Sequence, residues 1–411
     1  MLRRFCAPKL RSSAALRFCC SSAAPTVMTP CTMLSEEERA MQESVRQFAK
    51  TKLEPLARQM DEEEHMPKEI IDAGFEAGLF GIETAPELGG SGMSFMASCI
   101  AIEELARVDA GYSVMVDVQN TLTSNILYNF ASQAQKEKYL PMMAKNKVAC
   151  FNLTEPGSGS DAFALKTKAE KKGDKWVING SKIYITNGGI ADICLVLANV
   201  DFSKGYKGIT CFIVDKEVTP GVKVGRKEKK LGIRSSYTNE MIFENVEVSD
   251  ENIIGEVGKG YKIAIECLNE GRIGIAAQMV GIAQGALDYS MPYLFQRKQF
   301  GKYIGDFQGM QFQYAQAQTE VHAARLMTYN AARKKQHGEP FIEDAAMAKL
   351  YSSQVAAKVS SQAIEWLGGN GFIRDNTVER FYRDAKIGAI YEGSSNIQLQ
   401  TIAKFMKQRY Q

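Results

Sequence analysis

Three stretches of the chain carry residue types able to do chemistry. One is rich in glycine and hydroxyls, Thr154-Glu-Pro-Gly-Ser-Gly-Ser-Asp161; a second is Tyr184-Ile-Thr186-Asn-Gly-Gly189; the third joins Glu365-Trp-Leu-Gly-Gly-Asn-Gly371 to Ile390-Tyr-Glu392-Gly-Ser-Ser-Asn-Ile-Gln398. Glycines let a ligand approach the backbone and hydroxyls can donate to it, so the first two stretches read equally well as surface turns or as binding loops. Glu392 sits between Ile390-Tyr391 and Gly393, a semi-apolar setting that would lift a carboxyl towards general-base range. Local sequence alone favours a plainer reading, in which Ser394 or Ser395 caps the last helix and Glu392 is a solvated acid beside it.

Other chemistries find little support. The three histidines, His65, His322 and His337, have no metal-ligand spacing, which argues against a zinc hydrolase or a Ser-His triad; His322, on a helical stripe, reads as core or interface. Gly157 to Ala162 fits G-x-G-x-x-A, but Pro156 precedes it and no strand-helix-strand unit follows, so a dinucleotide-binding turn is rejected. Nine cysteines without a C-x-x-C pair make a disulfide framework or a metal site improbable, and none is expected. With 50 basic against 47 acidic residues, nothing favours nucleic acid or a charged membrane surface as partner. The longest apolar run, Ile193 to Ala198, is far below the ~18 residues that span a bilayer, so no stable membrane insertion is expected.

The positioning elements follow from periodicity. Residues 1–34 hold Arg3, Arg4, Lys9, Arg11 and Arg17 with no acid, amid Ser, Ala and Cys, the composition of a mitochondrial transit segment. From 35 to 149 the pattern is helical, with capping boxes at Ser35/Glu38 and Ser132/Gln135 and one long helical stretch from Phe95 to Phe130. From 150 to 250 it becomes a β domain: Trp176 to Ile178 and Ser181 to Thr186 read as a hairpin about Asn179-Gly180, with further strands at Ile193–Ala198, Ile209–Val214 and Met241–Val248. From 251 to 411 helices return, at Ile263–Leu294, Gln308–Gln336 and Glu343–Leu367.

Taken together, TEPGSGSD, IYITNGG, LNEGRIGIAAQ, RKQFGK followed by FQGMQ, EWLGGNGF and IYEGSSNIQ occur in the order found in acyl-CoA dehydrogenases, and the chain from about Ser35 to Gln411 resembles that family. The likeness is greatest to members acting on short and branched acyl chains, through NEGRIGIAAQMVGIAQGA, GYKGIT and DAKIGAIYEGSSNIQLQTIAKF. It implies an α+β acyl-CoA dehydrogenase-like fold, with an N-terminal helical domain, a central β domain and a C-terminal four-helix bundle. It also implies FAD as cofactor, an acyl-CoA substrate desaturated to a trans-2-enoyl-CoA, electron-transfer flavoprotein as electron acceptor, a homotetramer, and a mitochondrial matrix location.

Residue by residue, the resemblance makes Glu392 the catalytic base that takes the α-proton, with its own N–H aimed at the thioester oxygen. It assigns FAD contacts to Phe151, Leu153, Thr154, Gly159, Ser160, Tyr184, Ile185, Thr186, Ser394, Ser395 and Asn396. Many relatives carry Trp where Tyr184 stands. Arg297, Gln308 and Glu365, Trp366, Leu367, Gly368 and Gly369 match residues that reach the FAD of a neighbouring subunit. Ser160, Tyr206, Tyr261, Asn269, Glu270, Gly271, Arg272 and Gly393 match substrate contacts. Some relatives hold the base one residue after Glu270; here that position is Gly271, which makes Glu270 a decoy and leaves room for a 2-methyl branch. The same site run backwards would be an enoyl-CoA reductase, an acyl-CoA oxidase would need a longer chain, and a scaffold without activity would have no reason to keep Glu392 and the Gly-rich loops.

Overall fold

A computed structural model describes residues 30–411; most of the expected transit segment therefore lies outside the described residues. Helix α1 (Glu36–Phe48) opens on the expected capping box, Ser35 Oγ accepting from Glu38 N at 3.2 Å and Glu38 Oε2 accepting from Ser35 N at 2.9 Å. After a π-helical turn come α2 (Glu54–Glu63) and α3 (Lys68–Glu76). The helical stretch Phe95–Phe130 is divided into α4 (Phe95–Ala106), α5 (Ala110–Asp117), a π-helical segment Val118–Ser124, and α6 (Asn125–Phe130). The break falls at Asp109, which is extended (φ −146) and whose Oδ1 caps α5 by accepting from Tyr112 N at 2.8 Å; a short acid favours a cap over a helix interior. Helix α7 (Gln133–Lys145) begins on the second capping box, Ser132 with Gln135.

The β domain contains β1 (Ala149–Asn152), β2 (Lys168–Lys172), β3 (Lys175–Thr186), β4 (Ile193–Asn199), β5 (Ile209–Asp215), β6 (Val222–Lys227), β7 (Thr238–Ser249) and β8 (Ile253–Ile254). They form one sheet in the order β6-β7-β3-β2-β4-β5-β8, with β1 parallel to β4. The Asn179-Gly180 hairpin is not formed. Both residues lie inside β3, at a register shift against β7; Gly180 has φ +155 with Thr167 packed where its side chain would be, and Asn179 Oδ1 accepts from Asn245 N at 2.8 Å. The pair makes a bulge, and the tight turn is Gly173-Asp174, joining β2 to β3 through the pair Lys172 and Lys175.

The C-terminal bundle is α8 (Gly260–Leu294), α9 (Gln308–Gln336), α10 (Ile342–Leu367) and, after the short α11 (Gly369–Phe372) and α12 (Val378–Ala385), the final α13 (Ser395–Tyr410). A two-residue hairpin, β9 (Lys298–Gln299) and β10 (Lys302–Tyr303), links α8 to α9. His322 is exposed on α9 rather than in the core, and no described helix is long and apolar enough to cross a membrane. All three parts meet at α12. Arg380 pairs with Asp109 at 3.1 Å, Arg383 with Asp61 at 2.6 Å, and Asp384 Oδ1 accepts from Ile233 N at 2.5 Å. This buried charge network anchors the segment that leads directly to Glu392.

Candidate active site

Glu392 and Gly393 are consecutive left-handed residues, φ +50 and +83. A non-glycine residue in this region stores roughly 1–3 kcal/mol of strain and persists only when its surroundings enforce it. Here the enforcement is visible: Gln398 Nε2 donates to Glu392 O at 3.1 Å and to Gly393 O at 2.9 Å, and Lys349 Nζ donates to Gly393 O at 2.6 Å. Among the described residues the N–H groups of Glu392, Gly393 and Ser394 donate to no protein acceptor, leaving three backbone donors free at the turn. Glu392 Oε2 is buried and without a hydrogen-bond partner. Burial pushes this carboxyl up to about 7, with the charges of Lys349 and Arg272 pulling the other way. The solvated first-turn acid of the plainer reading is therefore not what the structure contains.

Helix α8 passes directly beneath. A side chain on Gly271 would begin 2.9 Å from Glu392 Oε2 and 2.8 Å from Leu122 Cδ2, so the glycine leaves the carboxylate its space. One turn on, Gly274 packs against the carboxyl of Asp117, and a further turn on, Gln278 Oε1 accepts from the Tyr391 hydroxyl. Asp117 is buried; desolvation holds its carboxyl well above the usual range, and Thr121 Oγ1 donates to it at 2.8 Å. Glu270 points elsewhere. It contacts Asn125 Nδ2 and lies 3.4 Å from Lys335 Nζ. Arg272 is half-buried with Nε unpartnered, and burial lowers its pKa while Glu392 opposes that.

The two loops of the β domain meet the same region. Ile183 N donates to Thr154 O at 2.9 Å, tying the loop after β1 to the end of β3. Gln119, in the π-helical segment, accepts from Ala149 N at 2.9 Å, while Leu122 of the same segment lies against Gly271; π-helical turns recur at functional sites. Tyr184 presents its ring to solvent, 62% exposed, from a left-handed backbone (φ +58). Thr154 and Thr186 are half-buried, Gly159 and Ser160 are exposed, and a side chain at Gly159 would meet nothing within 4 Å. An exposed ring, two half-buried threonines and open space at a glycine loop fit a planar ligand with polar edges, as a flavin is. Leu153 and Ile185 face the core, so only their backbones are offered to it. Tyr206 and Tyr261 stack edge to face at 4.9 Å, and Tyr261 lines a cavity of about 330 Å³ with Lys204, Lys207 and Lys259. Asn269 is buried on α8, and Ser395 and Asn396 open α13.

Arg297, Gln308, Glu365, Gly368 and Gly369 form a separate exposed group at the far end of the bundle. At 1.5 Å per helical residue, the end of α8 lies roughly 35 Å from Gly271. Trp366 and Leu367 are buried there, with Trp366 Nε1 donating to Gln313 Oε1 at 2.9 Å, so their side chains serve the bundle. The sequence assigns no role to Lys349, Gln398, Asp117 or Gln278. Each stands inside an ordinary helical pattern, and only the fold brings it to Glu392.

Residues 35–147, 150–246 and 258–407 match the family models described as acyl-CoA dehydrogenase N-terminal, middle and C-terminal domains. The chain is 54% identical over 384 residues (93% of each chain) to a probable short/branched chain specific acyl-CoA dehydrogenase of Dictyostelium discoideum. It is 50% identical over 381 residues to the mitochondrial short/branched chain specific acyl-CoA dehydrogenase of Rattus norvegicus, covering 93% of this chain and 88% of that one. Among solved structures, butyryl-CoA dehydrogenase from Megasphaera elsdenii superposes with a TM-score of 0.89 at 41% identity, over 91% of this chain and 99% of the other. The chain belongs to the acyl-CoA dehydrogenase family: it is an FAD-dependent oxidoreductase with that family's fold.

Proposed function

We propose that the protein desaturates short or 2-methyl-branched acyl-CoA thioesters between Cα and Cβ, with Glu392 as the base. The observation that carries this reading is the buried, unpartnered Glu392 Oε2 beside free backbone N–H groups of the same turn. FAD, when bound, supplies the acceptor for the hydride from Cβ. The chain's own part is to hold the α-proton against Glu392 and the thioester oxygen against the Glu392 N–H, where a donor placed in advance lowers the energy of the developing enolate. Thr154, Gly159, Ser160, Tyr184, Thr186 and Ser394 to Asn396, with the backbones at Phe151, Leu153 and Ile185, are the residues we assign to the cofactor. Asn269, Gly271, Arg272, Tyr206, Tyr261 and Gly393 are assigned to the thioester. Gly271 supports branch tolerance by the space it leaves next to the base.

The two electrons collected must leave, and electron-transfer flavoprotein is the acceptor consistent with the family. The names of the mitochondrial relatives and the basic leader support a mitochondrial matrix location. The distal group at Arg297, Gln308 and Glu365, together with exposed Phe300, Phe312 and Phe372 at 94%, 65% and 84%, supports a homotetramer in which one copy completes the cofactor site of another. Purified protein should be yellow and bleach anaerobically with butanoyl-CoA or 2-methylbutanoyl-CoA. Glu392→Gln should bind both ligands without bleaching, and Glu270→Gln should bleach within about threefold of the unmodified rate. Bleaching that survives Glu392→Gln but is lost in Glu270→Gln would move the base to the other carboxylate.

A further inference from the structure

Lys349 stands seven residues into α10 with its side chain wholly out of solvent. Among the described residues its ammonium has no carboxylate within 4.0 Å, and its one hydrogen bond goes to the carbonyl of Gly393 at 2.6 Å. A buried ammonium without an ion-pair partner is expensive to keep. What it faces therefore matters. On the other side of the turn, Gln398, also fully buried, takes the carbonyls of both Glu392 and Gly393, and a side chain on Gly393 would collide with Gln398 Nε2 at 2.7 Å. Two buried side chains from two helices thus make three hydrogen bonds to the two carbonyls of the left-handed pair.

The arrangement has a chemical consequence. The base and the donor to the thioester oxygen both belong to Glu392, so the backbone torsions of one residue set the direction of both. If Glu392 relaxed to the ordinary right-handed region, its carboxylate and its N–H would swing together away from a common target. We infer that Lys349, seconded by Gln398, is a positioning residue that holds the Glu392–Gly393 turn left-handed and brings a positive charge to the back of the catalytic carboxylate. This rests on the reading of Glu392 as the base.

The titratable and charged groups gathered here are Glu392 and Tyr391 on the turn, Arg272 and Cys267 on α8, and Asp117 at the end of α5. Burial holds Lys349 down to about 8, opposed by Glu392 and reinforced by Arg272. The rate of flavin bleaching should then rise with pH as Glu392 ionises near 7 and fall as Lys349 loses its proton near 8.

The test compares Lys349→Met, Gln398→Met and Glu392→Gln holoenzymes with the unmodified protein, by anaerobic bleaching with butanoyl-CoA across pH and by steady-state turnover with a dye acceptor. Lys349→Met should keep its flavin and its KM within about threefold. Its bleaching rate should fall about 10²-fold, as a misplacement of about 1 Å can cause, its alkaline limb should vanish, and its acid limb should move up. A rate within twofold of unmodified enzyme with an unmoved acid limb overturns the inference. If Lys349→Met yields no holoenzyme, Gln398→Met decides: a rate lowered tenfold or more with the acid limb in place supports a held turn, and an unchanged rate refutes it. Bleaching by Glu392→Gln would instead sink the assignment of the base, whatever the other two variants do.

Discussion

Two lysines, one in the β domain and one in the bundle, are withdrawn completely from water, and burial drives both down to about 8. They are answered differently. Lys182, on β3, meets Glu155 Oε1 at 2.7 Å and the Leu153 carbonyl at 3.1 Å. Glu155 in turn accepts from Lys166 N at 2.5 Å and Thr167 N at 3.0 Å, and its carboxyl is held below the usual range because these partners outweigh its desolvation. The charge is neutralised where it stands, and the pair rivets the Gly-rich loop to β3. Lys349 is bonded only to a carbonyl, so its charge is left to act on Glu392. A buried ion that is locally paired fixes structure; one that is not remains available to tune a neighbour.

This contrast can be broken or sharpened by substitution. The largest expected effect is at Glu392, where Glu392→Gln should lower kcat on the order of 10⁴-fold, measured by stopped-flow bleaching. The same variant should melt a few degrees higher at pH 8. The sign follows from linkage: the folded pKa is raised, so the ionised carboxylate is a burden that is fully present above about 7 and absent below the unfolded value. The advantage should therefore shrink as the pH falls towards 4.5, and a thermal melt that shows no such trend would contradict the buried setting of Glu392. Next comes Lys182→Met, which orphans Glu155 and should cost about 3–5 kcal/mol of stability with the rate per bound flavin little changed. Glu155→Leu added to it should recover only part of that loss in a denaturant titration, because the N–H groups of Lys166 and Thr167 then lose their acceptor. If Lys182→Met instead slowed bleaching at unchanged stability, the two lysines would not differ as described. The smallest effect is at Gly271→Ala, whose new methyl meets Glu392 Oε2 and Leu122; kcat should fall roughly tenfold, an order set by the sensitivity of reacting groups to small displacements, with melting nearly unchanged.

Much of the fold was legible because it rests on short-range rules. The capping boxes at Ser35 and Ser132, the strands β4, β5 and β7, and the three long bundle helices all follow from caps and periodicity. Asn179-Gly180 misled because its local preference for a turn yields to the pairing of β3 with β7 on both sides of it. β1, β2 and β6 escaped because they are short or, in the case of β2, mostly exposed lysine and glutamate. Glu392 could be singled out from its flanking residues, but the local pattern argued for a solvated acid; its burial depends on the packing of α8 against it, far away in sequence. Lys349 was invisible for the same reason. An Ala-Lys-Leu stretch in an amphipathic helix reads as surface charge, and the carbonyl that gives it a purpose is 44 residues distant.

Along α8, Gly271, Gly274 and Gln278 stand in one row, each fitted to a different neighbour: the Glu392 carboxylate, the Asp117 carboxyl and the Tyr391 hydroxyl. Inserting or deleting one residue between the first and the last would rotate one end of that row by about 100° relative to the other, so that whichever contact was kept, another would be lost. The number of residues in this stretch is thus as tightly constrained as their identity, and length changes that the surface loops of the β domain would absorb should here be fatal to activity.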